Sequence, residues 1–149
     1  KFSTALSKLG SFDEDQADKG TVLGKFEGVK FSIFIYKYPL IFPAAKYLSL
    51  NIADIRDIAA MKIDAIATRG AKRDFIDLFF ICRSGYHIEQ LLDIYDKKYK
   101  NLAATEIHIM KSLVYFEDAE SDETPKMLKD VDWEDIKRYF EKEVKKLAR

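Results

Sequence analysis

The sequence has one cysteine, three prolines, six glycines and no excess charge of either sign. Each shortage excludes something. A lone thiol, Cys82, cannot close a disulfide within the chain, so a disulfide scaffold is excluded and a reducing, cytoplasmic setting is expected. Twenty-five basic residues balance 25 acidic ones, which argues against a polycation that holds nucleic acid by bulk charge and leaves room only for a local patch. No apolar run approaches the roughly 20 residues of a membrane span and no secretory signal opens the chain, so no membrane partner is expected. There is no repeat, low-complexity tract or glycine-rich phosphate loop. What is present is a composition that is 48% hydrophobic and 13% aromatic over 149 residues, enough for a packed core. The chain opens on Lys1 rather than methionine, and is expected to be the larger C-terminal part of a longer protein.

Periodicity divides the chain in two. Phe2, Ala5, Leu6 and Leu9 have helical spacing, stopped by Gly10. Ser11–Lys19 is polar and acidic and reads as a loop. Gly20–Phe26 and Val29–Tyr36 have strand character, and Glu27-Gly28 between them predicts a tight antiparallel hairpin. The second run puts Val29, Phe31, Ile33 and Ile35 on one face and Lys30, Ser32, Phe34 and Tyr36 on the other, so both faces are expected to be partly covered. Pro39 and Pro43 bracket a connector, with a short strand at Tyr47–Leu50. From Asp54 onward the period is helical, with helices expected near 54–69, 72–83, 87–98, 103–115 and 132–147. The last has Asp132 as N-cap, an apolar stripe of Trp133, Ile136, Phe140, Val144 and Leu147, and a charged opposite face that is expected to be solvated.

The helix at 54–69 carries a charge in the wrong place. Ile55, Ile58, Ala59, Met61, Ile63, Ala65 and Ile66 form one broad apolar arc, with Arg56, Asp57, Ala60, Asp64 and Ala67 opposite. Lys62 falls inside the apolar arc, and Arg69 lies two turns below it. A lysine there needs an anion, because lost hydration costs several kcal/mol otherwise. The next helix, apolar nearly all round, supplies Asp74 and Asp77 along one edge. Two readings stand. The four side chains form an internal ion-pair network, or Lys62 faces a cleft and meets a phosphate as a compact point charge.

These residues also resemble a known family. Asp57-Ile58-Ala59-Ala60-Met61-Lys62, Ala65-Ile66, Arg69-Gly70 and Arg73-Asp74-Phe75-Ile76-Asp77-Leu78 are similar to the signature of AbiEii/AbiGii-type nucleotidyltransferase toxins. The run Phe34-Ile35-Tyr36-Lys37-Tyr38-Pro39, the stretch Leu113–Glu120 and Trp133 extend the resemblance over most of the chain from Thr21. It implies an α+β fold: the remnant of a polymerase-β-like nucleotidyltransferase core at 1–50, then a mainly helical domain at 51–149. It implies for the intact protein Mg²⁺-dependent transfer of a nucleotide from an NTP to RNA such as tRNA, in a toxin–antitoxin or phage-defence system with a cognate antitoxin. By position, Lys62 and Asp77 match catalytic residues of the family, and Lys62, Arg69, Arg73 and Asp74 are the expected nucleotide-binding set. Such transferases hold two Mg²⁺ ions on a Gly-Ser turn and an Asp-x-Asp pair. Gly10-Ser11 with Asp13 and Asp15 imitates the spacing only, and is expected to be a solvated loop; Ser32 stands where related transferases bring a further carboxylate. This chain alone is therefore expected to hold no metal and to be inactive. The alternative is a non-catalytic helical interaction module built on the Lys/Asp network.

Other candidates are weaker. His87 and His108 have no metal-ligand spacing, and Glu117, Asp118, Glu120, Asp122 and Glu123 lack the EF-hand pattern and read as a solvated acidic turn. Tyr36, Tyr38, Phe42 and Tyr47, interleaved with Lys37 and Lys46, either stack bases or form a core edge beneath the connector. Cys82 reads as a core thiol.

Overall fold

The computed structural model describes residues 2–100 and 106–148 and is α+β. The chain divides into two compact units, Lys1–Tyr38 and Pro39–Arg149, so the boundary falls twelve residues before the expected one at 50/51.

The first unit has a short helix α1 (Phe2–Leu6) and a three-stranded antiparallel sheet in the order β1 (Phe12–Asp18), β2 (Thr21–Phe26), β3 (Val29–Phe34). The hairpin forms as its turn residues dictate. Phe26 pairs with Val29, and Glu27 (φ 49°) and Gly28 (φ 78°) both take the left-handed conformation that matches the twist of the strands. The polar stretch read as a loop is strand β1, which pairs along β2 from Phe12↔Phe26 to Asp18↔Thr21 with a bulge between Glu14 and Gln16. It carries no alternation because, beyond Phe12, both of its faces are exposed. Asp13 and Asp15 thus lie on a strand after all. Gly24 permits the close pairing, since a Cβ there would collide with the Asp13 carbonyl oxygen. The expected covering of β3 is not found within this unit: Val29, Ile33 and Phe34 are exposed and only Phe31 is half-buried.

The second unit opens with a small hairpin, β4 (Ala45–Tyr47) and β5 (Leu50–Ile52), in place of the single strand expected at Tyr47–Leu50. Six helices follow: α2 (Ile55–Arg69), α3 (Lys72–Arg83), α4 (Ile88–Lys98), α5 (Glu106–Ser112), α6 (Glu117–Glu120) and α7 (Trp133–Leu147). The start expected for α5 at 103–105 lies outside the described residues. Helix α2 is closed by the Asp54 carboxylate accepting from Arg56 N at one end and Gly70 at φ 57° at the other. It packs against α3, α4 and α5, and α3 packs in turn against α6 and α7. The core is made of Ala59, Ala60 and Ile63 from α2, Phe75 and Leu78 from α3, Leu91 from α4, Ile109 from α5 and Phe140 from α7. Phe75 sits at its centre, 5.3 Å from the ring of Phe116, 5.8 Å from Trp133 and 5.7 Å from Phe140.

Two expectations for this unit are corrected. The acidic stretch is not a solvated turn throughout. It contains α6 with Ala119 buried, and Asp122 accepts a hydrogen bond from Lys72 N at 2.9 Å, capping an α3 whose own N-cap residue, Ala71, has no side-chain acceptor. The faces of α2 are also redrawn: Asp57 and Ala60, placed opposite the apolar arc, are fully buried, whereas Ile55 is exposed. Small side chains on that face admit α4, so the helix is covered on a wider arc than its large apolar residues mark.

Candidate functional site

Four of the five expected site residues converge at the junction of α2 and α3. Gly70, left-handed and needing one more residue before α3 begins, turns the chain back so that the last two turns of α2 face the first two of α3. Asp74 is wholly buried between them. Arg69 grips it with two hydrogen bonds, Nε to Oδ2 at 2.8 Å and Nη2 to Oδ1 at 3.0 Å, and Lys62 Nζ lies 3.0 Å from Oδ1. Burial works to raise the Asp74 pKa, but the bonds from Arg69 and Lys62 outweigh it and hold the carboxyl below its ordinary value. The bond to Asp74 in turn raises the Arg69 pKa against the effect of burial.

Lys62 has a second, different partner. Its Nζ lies 2.6 Å from Asp77 Oδ2, and the Asp77 side chain is 51% exposed where that of Asp74 is 0%. The network therefore has a buried arm and a wet arm, and the Lys62 side chain between them is 23% exposed. The arms differ in worth. A buried bidentate pair that loses one member leaves an uncompensated charge, whereas an exposed pair contributes ~0–1 kcal/mol. Arg73, the fifth residue, is exposed on the Asp77 edge of α3, one turn earlier.

A second ionic cluster was not expected from the sequence. Asp57 and Lys98 are both completely buried, with Lys98 Nζ 2.6 Å from Asp57 Oδ1 and 2.7 Å from the Pro39 carbonyl oxygen. Ile41 N and Phe42 N donate to the same carboxylate at 3.0 and 2.9 Å, which pins the segment after Pro39 to α2. Burial again raises the Asp57 pKa, and Lys98 with the two amides more than reverses it. Beside it the Arg56 guanidinium lies 3.5 Å over the Phe42 ring, so Phe42 belongs to a packed connector. The signal was available: Leu91, Ile94, Tyr95 and Lys98 share one stripe of α4, so Lys98 fails the same burial test that singled out Lys62.

For divalent metal, no group of three or more His, Cys, Asp or Glu side chains is placed to hold an ion among the described residues. Asp13 and Asp15 are exposed on β1 with the bulge beside them. Cys82 is buried, which pushes its pKa up. No described helix is long and apolar enough to cross a membrane.

An uncharacterized protein of Aquifex aeolicus (strain VF5) is 41% identical over 148 residues, a match that spans 96% of this chain and 69% of that protein. No solved structure matches. The family model of the nucleotidyl transferase AbiEii toxin, Type IV toxin–antitoxin system, matches residues 32–148, which takes in the second half of β3, both ionic clusters and every helix from α2 to α7. The chain belongs to the AbiEii nucleotidyl transferase toxin family.

Proposed function

We propose that this chain is part of an enzyme that transfers a nucleotide from an NTP to RNA, with tRNA one candidate acceptor, as a toxin restrained by a cognate antitoxin. One observation carries the reading: Lys62 is fixed from behind by buried Asp74 but paired in front with exposed Asp77. A triphosphate carries more negative charge than one carboxylate, and can replace the wet arm without disturbing the buried one. Lys62 then meets the β- and γ-phosphates. In the transfer an acceptor hydroxyl oxygen bonds to the α-phosphorus and gives up its proton to solvent, the α–β anhydride bond breaks, and pyrophosphate leaves with charge that Lys62 neutralises. Asp77, freed from Lys62, orients the acceptor or the neighbouring Arg73. Among the described residues no group of three or more His, Cys, Asp or Glu side chains is placed to hold the Mg²⁺ expected for such a transfer.

The test is incubation of the purified intact protein with RNA and each of the four labelled NTPs. Label is expected in RNA with at least one NTP, and Lys62→Ala is expected to weaken NTP binding at least tenfold, about 1.4 kcal/mol. No label with any NTP, together with unchanged NTP binding by Lys62→Ala, overturns the proposal. A second reading is a non-catalytic helical module that binds a partner protein, favoured by the fact that Asp74 satisfies its charge internally with two cations. It is separated by Asp77→Asn. Removing a competitor for Lys62 is expected to tighten NTP binding while lowering transfer, whereas a purely structural network predicts no change in either.

A further inference from the structure

A half-open cavity of about 320 Å³, lined by neither Lys62 nor Asp77, lies among the end of α2, Gly70, α5 and the start of the acidic segment. Its lining includes Arg69, His108, Lys111 and Tyr115, with Ile66 and Ala67 as an apolar floor. Three features give it a character of its own. Arg69 has five donors, of which Asp74 engages two, and its side chain is 51% exposed, so the guanidinium retains donors for a second anion. Lys111 lies in the last turn of α5 and adds a second cation. Tyr115 is 49% exposed and presents a ring at the rim, its hydroxyl occupied by Glu117 at 2.9 Å. Asp118 is the opposing charge, and it stands against Gly70, 3.4 Å from where a Cβ would be. Two cations, an exposed aromatic ring and an apolar floor are the elements by which proteins hold single-stranded nucleic acid: phosphate on the cations, base on the ring.

We propose that this cavity is the acceptor subsite, taking one nucleotide of the RNA strand with its backbone phosphate on Arg69 and Lys111 and its base against Tyr115. The inference rests on the reading of the chain as an RNA nucleotidyltransferase and deepens it. Arg69 Nη2 and Lys62 Nζ both lie 3.0 Å from the same oxygen of Asp74, so one buried carboxylate positions two cations for two anionic substrates. The triphosphate sits on the Lys62 side and the acceptor strand on the Arg69 side. Asp74 holds the two apart from each other's charge.

The test uses the intact protein, a fluorescein-labelled single-stranded RNA oligonucleotide and a fluorescent ATP analogue. Lys111→Glu is expected to weaken RNA binding at least tenfold, and Tyr115→Ala severalfold, while both leave ATP-analogue binding within twofold of wild type. Lys111→Ala is expected to lower the slope of log affinity against log salt by about one. Lys142→Glu, the same charge change on the exposed face of α7, is expected to leave RNA affinity within twofold. Unchanged RNA affinity in Lys111→Glu, or equal loss in Lys111→Glu and Lys142→Glu, overturns the subsite. The two proposals fail separately. RNA bound in a Lys111- and Tyr115-dependent way without any label transferred sinks the enzyme reading alone, and label transferred with unaltered RNA KM in Lys111→Glu sinks the subsite alone.

Discussion

At the scale of single residues, the two buried carboxylates differ in what they hold. Asp74 joins two adjacent helices, while Asp57 joins α2 to the end of α4 and to the backbone after Pro39. Removing either member of the Asp57–Lys98 pair leaves the other charged and dry. Asp57→Ala is expected to cost about 3–5 kcal/mol in urea unfolding, because Lys98 and two amides lose their acceptor together. Arg138→Ala, at an exposed pair on α7, is expected to leave the midpoint unchanged. Both carboxyls also have folded pKa values below the ordinary 3.8. A depressed carboxyl contributes stability above its unfolded pKa and loses it as pH falls through the folded value. Stability should therefore be flat from neutral pH down to about 5 and fall below about 4. Asp74→Asn, less stable overall, should show a shallower fall, read as urea midpoints along a descending pH series.

Elements in this protein depend on tertiary partners at their ends as much as on their own sequence. Helix α3 is capped by Asp122, fifty residues away, which also accepts Lys72 Nζ on its backbone oxygen at 2.6 Å. Asp122→Ala is expected to lower stability by about 1 kcal/mol through the lost cap. Gly70→Ala puts a side chain at φ 57°, with an expected cost of about 1 kcal/mol from the left-handed backbone and only ordinary contact with Asp118. Phe75→Ala, at the aromatic centre, should cost about 3–5 kcal/mol. Thermal or urea unfolding checks all three, and an order different from Phe75 above the other two would contradict the packing described. The spans of α2, α3, α4 and α7 could be read within a residue, since each carries an apolar stripe and a recognisable start or stop. Strand β1 could not, because an edge strand exposed on both faces has no periodicity to read.

For the molecule as a whole, the distribution of core is uneven. Every fully buried hydrophobic side chain among the described residues lies between Ala59 and Phe140, in the second unit, and the first unit contributes none. A fragment of residues 39–149 is accordingly expected to keep helical circular dichroism and a single cooperative unfolding transition. A fragment of residues 1–38 is expected to show neither, since a three-stranded sheet without a buried face cannot offset its conformational entropy. Loss of cooperativity in the larger fragment would show that its core is not self-sufficient.

The sequence by itself determined helices α2, α3, α4 and α7, the β2–β3 hairpin and the need of Lys62 for an anion, because each follows from local spacing or from a charge set among apolar neighbours. It left open which anion. Only the tertiary structure decided that Asp74 is buried and shared with Arg69 while Asp77 is wet, since two carboxylates three residues apart on one helix are alike until a neighbouring helix covers one of them. It alone also revealed the Asp57–Lys98 pair, whose members stand 41 residues apart and meet only because α4 closes over the small side chains of α2.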